Sequence, residues 1–234
     1  MERQTDYDAF APIYDRFAAS MTEDVDFYVS LAAEAVGPVV ELAVGTGRIA
    51  IPIAERTGRR VVGLDVSPEM LEVARRKAAG AVVALELREG DMRELELDEA
   101  TDLVICPARA MLHLSSHDER VTVMRRVGAI LVPGGRFVWN AFVFDPAVAQ
   151  EIGGIWRDEN GIRNRSTYDF EKRRIDLELE SGAAVSLWWV ERGEWEAAID
   201  ESGLEVEALF GWFDRRPFDD ESREFVYVAR KPDR

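Results

Sequence analysis

The chain has 234 residues, 47% hydrophobic and 32% charged, the profile of one large soluble domain able to bury a real core. Its 29 Lys and Arg against 45 Asp and Glu give a formal charge of −16, a field that repels a phosphate backbone; "ARRKAA" and "EKRRID" are short and flanked by acids, so nucleic acid is excluded as a partner. A single cysteine, Cys106, rules out an internal disulfide and fits a cytoplasmic location, and no run of roughly 18 apolar residues is present to span a membrane.

The N-terminal "MERQTDYDAF" is acidic and has no apolar centre, so it does not read as a signal peptide. Tyr7, Phe10, Tyr14 and Phe17 recur at three- and four-residue spacing and form one aromatic helical stripe, most of it read as packing. A second helix is expected over 23–36, ended by Gly37-Pro38. Strands and helices then alternate. Strands are expected at 39–43, 60–65, 82–87, 102–106 and 136–142, with helices at 48–56, 67–79 and 118–131 between them. Ser67 caps the helix that Pro68 begins, with Glu69 and Glu72 near its positive end. Near-continuous apolar strands alternating with helices predict an α/β fold, a doubly wound and mostly parallel sheet. After Phe144 the pattern becomes two or three antiparallel strands ("NRSTYDFE", "RIDLELE", "AVSLWWV"), a helix over 194–201 and a final hairpin. One domain over 1–234 is expected: N-terminal helices 1–37, a core 38–144, a β insertion 152–190, and a last helix with hairpin over 193–230.

The turn after the first strand reads "ELAVGTGRIA". Gly45 and Gly47 let backbone approach a ligand at the carboxyl end of the sheet, where open α/β sheets bind. Taken alone, "GTGRIA" and Asp65, roughly 20 residues after Gly45, fit a dinucleotide turn, and a tight strand-to-helix turn without a ligand satisfies the same pattern. Glu41 separates these readings. A carboxylate in a buried strand suits a ligand carrying an ammonium or sulfonium group.

With "ELAVGTG", "GLDVSPEML", "GDM", "DLVICPARAMLHL" and "LVPGGRF" in order, the chain resembles the class I S-adenosylmethionine-dependent methyltransferases with the Rossmann-like fold, over at least 39–143. The resemblance implies a seven-stranded sheet with a C-terminal antiparallel hairpin and a small β insertion after the fifth strand. It implies S-adenosylmethionine as cofactor and S-adenosylhomocysteine as product. Glu41 then lies near the methionine moiety, and Gly45 and Gly47 let the turn close. Asp65 takes the ribose hydroxyls, and Met70 packs near the adenine or lines the core. Asp91 and Met92 meet the adenine edge, Cys106 offers a backbone carbonyl, and Tyr14 closes the first helix over the site. Ala43 stands where the family most often has glycine, and is expected in extended backbone. Pro107 and Arg109 replace the polar pair common in small-molecule relatives.

The implied activity is methyl transfer to the nitrogen or oxygen of a small-molecule acceptor, as in aminosugar and antibiotic-tailoring enzymes. Only two histidines are present. His113 faces the substrate side, as a general base or as a structural hydrogen-bond partner; His117 reads as solvent-facing. No His–Cys cluster has metal spacing, so no metal is expected. Arg109, Asn140, Trp156, Tyr168, Trp188 and Arg215 are the substrate candidates. Of Trp188 and Trp189 one belongs to the core, Arg215 also reads as solvating its loop, and the charged insertion also reads as a homodimer contact. Rival functions are an NAD-dependent oxidoreductase and a non-catalytic cofactor-binding regulator.

Overall fold

The computed structural model describes residues 7–233; residues 1–6, the start of the segment read as no signal, and residue 234 lie outside the described residues. Two helices, α1 (Tyr7–Phe17) and α2 (Val25–Glu34), precede an alternating core: β1 (Val39–Leu42), α3 (Ala50–Thr57), β2 (Val61–Asp65), α4 (Pro68–Ala81), β3 (Leu85–Glu89), β4 (Thr101–Cys106), α5 (His117–Ile130) and β5 (Leu131–Phe142). After these come α6 (Pro146–Ile152) and four strands, β6 (Arg157–Glu159), β7 (Ile162–Asp169), β8 (Arg174–Leu179) and β9 (Ala184–Trp188). The chain ends with α7 (Arg192–Ser202), β10 (Glu205–Phe210) and β11 (Glu224–Arg230).

Seven strands form one sheet in the order β10-β11-β5-β4-β1-β2-β3, parallel from β1 to β5, with β11 antiparallel to both β5 and β10. The order reverses between β1 and β4, the switch point at which such sheets leave a crevice beyond their carboxyl ends. The pleat divides the core. Val104 and Cys106 of β4, Phe137 and Trp139 of β5, and Phe225 and Tyr227 of β11 pack on one face, towards α5 and α7. Leu103 and Ile105, Val138, and Val226 and Val228 point to the other, towards α2 and α3. Both faces are buried, which is why these strands read as unbroken apolar runs rather than alternating ones. A stack of Trp139 on Tyr227, with ring centroids 5.1 Å apart, fills the first face.

Residues 157–188 make a separate antiparallel sheet, β6-β7-β8-β9. Its apolar side (Ile162, Leu179, Val185) shares a small core with Phe10 of α1 and Met70 of α4, so the insertion rests against the N-terminal helix. Four strands stand where two or three are expected, because β6 has three residues, too few to show a period. The third strand begins at Leu85 rather than 82: Val82 is the left-handed residue (φ 58°) that ends α4. The helix after the glycine turn begins at Ala50, since Gly47 (φ 78°) keeps the chain turning through Ile49. Among the described residues no helix is long and apolar enough to cross a membrane.

Candidate active site

A cavity of about 270 Å³ opens at the carboxyl ends of β1, β2 and β4, with α1 across it. Its floor is the turn after β1. Gly45 and Gly47 have positive φ (53° and 78°), and the Gly47 N–H donates to the Val44 carbonyl at 2.9 Å. Ala43 also has positive φ (53°), not the extended backbone expected of it. The turn keeps the geometry glycine would meet freely, and alanine adopts it at a cost of roughly 1–2 kcal/mol. Ala43 and Gly45 line the cavity; Gly47 closes the turn behind them.

Glu41 does not line the cavity. Val40 and Leu42 pack towards α5 and α7, so the pleat sends Glu41 to the α2 and α3 side. There it is 2% exposed, and its Oε2 has no hydrogen-bond partner. Burial pushes its carboxyl well above the ordinary carboxylate range, and the nearby Arg48 only partly offsets this. Arg48 is itself committed to a two-pronged pair with Asp24, both contacts at 2.6 Å, and donates to the Met21 carbonyl at 2.8 Å. This pair fastens the start of α2 to the glycine turn.

Asp65 ends β2 and lines the cavity. Its Oδ2 accepts from the Gly45 N–H at 2.8 Å and its Oδ1 from the Ser67 N–H at 2.9 Å. Burial raises its carboxyl despite those two donors. A carboxylate has about four acceptor positions, so with Val66 N–H as a third backbone donor acceptor capacity remains for a ribose hydroxyl. Ser67 caps α4, accepting from the Met70 N–H at 3.1 Å, and Met70 lies at the edge of the cavity while packing in the small core. Asp91 and Met92 line the far wall. Asp91 accepts from Arg93 through both backbone and guanidinium, and that pairing outweighs burial and holds its carboxyl below the ordinary range. Cys106 is fully buried in the core, and burial pushes its thiol up.

Over this floor, α1 places Tyr7 and Tyr14 on the cavity, one heptad apart on the same face, while Phe10 turns into the small core. Polar tethers hold the helix down. Ser67 Oγ donates to Asp8 at 2.5 Å, and Asp15 accepts from Thr46 at 2.6 Å and from Lys77 at 2.8 Å. Tyr7 was legible only as part of an aromatic stripe; its seven-residue spacing from Tyr14, the one other phenol of the stripe, is the signal that could have found it. Its hydroxyl is hydrogen-bonded to His113 Nε2. His113 Nδ1 lies 2.9 Å from the Ser186 carbonyl of β9, which can only accept, so Nδ1 carries the proton and Nε2 accepts from Tyr7. Burial pushes His113 down to about 4. The imidazole is therefore neutral at pH 7.

The six substrate candidates are not among the residues lining the cavity. Arg109 turns to Glu224, and Asn140 lies between Tyr28 and Glu224. Trp156 is covered by Arg163 and Arg165, and Tyr168 packs on Phe144. Trp188 is half-buried, its neighbour Trp189 being the core residue at 5% exposure. Arg215 donates to Ser30 Oγ and lies over Phe27. His117 begins α5, part-exposed beside Glu201.

Residues 39–135 match the family model of a methyltransferase domain. The cypemycin N-terminal methyltransferase of Streptomyces sp is 26% identical over 207 residues, 82% of this chain and 82% of its own length. The solved structure of the CcbJ methyltransferase from Streptomyces caelestis has a TM-score of 0.82 at 28% identity, covering 97% of this chain and 98% of that one. CalS10, an amino pentose methyltransferase from Micromonospora echinaspora solved with SAM bound, shares the fold with a TM-score of 0.67 at 22% identity, over 99% and 100% of the two chains.

Proposed function

Because the chain belongs to the class I S-adenosylmethionine-dependent methyltransferases, we propose that it transfers the methyl group to the nitrogen of a small-molecule amine. When bound, S-adenosylmethionine supplies an electrophilic methyl on a sulfonium sulfur. The donor set fits it. Asp65 keeps acceptor capacity for a ribose hydroxyl, and Asp91 and Met92 offer a polar and an apolar edge for the adenine. Gly45 and Ala43 provide the close backbone approach.

One observation carries the choice of nitrogen: His113 is locked between the Ser186 carbonyl and the Tyr7 hydroxyl, with its pKa near 4. A base serves best when its pKa is close to the working pH. One near 4 is poorly matched to removing the proton of an alcohol. A neutral amine needs no such help; it needs a lone pair held in line with the methyl group, a matter of proximity and orientation worth up to ~7–11 kcal/mol. With its O–H donating to His113 Nε2, the Tyr7 oxygen keeps its lone pairs as acceptors that can orient an amine N–H. The name of one relative, an N-terminal methyltransferase, supports the same choice. A cytoplasmic setting, with a single buried cysteine, completes this reading.

The test is a panel of small amines, aminosugars included, each beside the alcohol that lacks its nitrogen, incubated with methyl-labelled donor. Label on the amines and not on the matched alcohols is expected. Label on the alcohols, abolished in His113→Ala, would replace this reading with oxygen methylation.

A further inference from the structure

The loop after β4 holds two consecutive non-glycine residues in the left-handed region, Ala108 at φ 56° and Arg109 at φ 63°. Each such residue is disfavoured, by roughly 5- to 30-fold for an L side chain. The loop nevertheless has a fixed task. Ala108 and Ala110 form part of the cavity wall, and the 3-10 turn Ala110–His113 that follows delivers His113 to Tyr7.

What holds the strained pair in place is on the other side of the loop. Arg109 Nε and Nη2 donate to the two oxygens of Glu224, at 3.1 and 2.8 Å, and the guanidinium lies 5.6 Å from the Phe142 ring centroid. Glu224 begins β11 and is 1% exposed. A carboxylate that deep is costly unless it is paired and hydrogen-bonded. Asn140 Nδ2 donates to it at 2.6 Å, and the Asn140 oxygen in turn accepts from Tyr28 at 3.1 Å. The anchor is thus rooted in β5, β11 and α2, whereas the Arg109 side chain it grips is 42% exposed.

We propose that Glu224 is a positioning residue: acting through Arg109, it holds the strained Ala108–Arg109 backbone so that the loop forms the cavity wall and presents His113. The inference rests on the cavity being the cofactor site and is independent of which acceptor is methylated.

The test compares two substitutions at one position by calorimetry with S-adenosylhomocysteine, with thermal midpoints measured in parallel. Arg109→Ala removes the grip and keeps the strain; Arg109→Gly removes the grip and that residue's own share of the strain, leaving only Ala108 in the left-handed region. The expected result is a dissociation constant raised about tenfold in Arg109→Ala and by less than about threefold in Arg109→Gly. Glu224→Gln, which leaves the shape but weakens the grip, is expected to follow Arg109→Ala; should that buried variant not fold, the Arg109 pair decides alone. Equal losses in Arg109→Ala and Arg109→Gly would make the guanidinium a direct ligand contact and overturn the proposal. Unchanged affinity in Arg109→Ala would overturn it too. A purely structural ion pair would lower the thermal midpoint without separating alanine from glycine in affinity. Product binding involves no acceptor, so failure of the amine reading would leave these results standing.

Discussion

Glu41, read as lying near the methionine moiety, is sent by the pleat away from the cavity lining. Its buried Oε2 has no hydrogen-bond partner, a costly arrangement inside an apolar strand. Its folded pKa lies above the ordinary 4.5, so over the window from there upwards the native state holds a proton that the unfolded chain has lost. Stability attributable to this group therefore falls as pH rises through that window. Glu41→Gln should raise the thermal midpoint of the ligand-free protein at pH 8, with the gap closing towards pH 5. A midpoint lowered equally at both pH values would refute this account of Glu41. Ala43 departs as well. Its type suggested an extended backbone, but φ is set by the turn, and the turn imposes 53° on whichever residue stands there.

At the level of elements, α1 is the part most exposed to test. It lies over the cavity through Tyr7 and Tyr14, is seated by Phe10 in the small core, and is tethered by Asp8 and Asp15 to Ser67, Thr46 and Lys77. Thr46 belongs to the glycine turn and Ser67 is the cap of α4, so the same residues that shape the floor fasten the roof. Asp15→Ala removes two of these tethers. It should speed amide exchange across 7–17 and make S-adenosylhomocysteine leave about 3- to 5-fold faster in stopped flow, in keeping with the modest worth of part-exposed hydrogen bonds. Unchanged exchange and release would mean that apolar packing alone seats the helix. Helices and strands of the core were legible from their runs of apolar residues, and α4 also from its cap, Ser67 before Pro68. The seven-residue α6 and three-residue β6 had no room for a period, and the boundary at Val82 depended on a left-handed cap that a β-branched residue rarely supplies.

At the scale of the molecule, the sheet brings to one crevice groups that the chain keeps far apart. The turn and Asp65 were legible because they lie within one βαβ unit whose spacing is itself a signal. Tyr7 with His113, His113 with Ser186, and Arg109 with Glu224 are separated by 106, 73 and 115 residues. No local pattern can announce such pairs; only the strand order β11-β5-β4-β1 and the return of the insertion to the site create them. The same geometry explains why the six substrate candidates fall outside the cavity wall. Their chemical type at strand ends, in the insertion and in the last loop says nothing of their partners, and the fold uses Arg109 and Asn140 internally, on Glu224. The central claim is that this crevice, with Asp65 at its edge, holds the cofactor. Calorimetry of the wild-type protein and of Asp65→Ala with S-adenosylhomocysteine tests it directly. The account predicts one micromolar site that Asp65→Ala weakens by about 1–3 kcal/mol, roughly 5- to 150-fold, with the fold retained. Binding of equal strength in both proteins would place the cofactor elsewhere and contradict it.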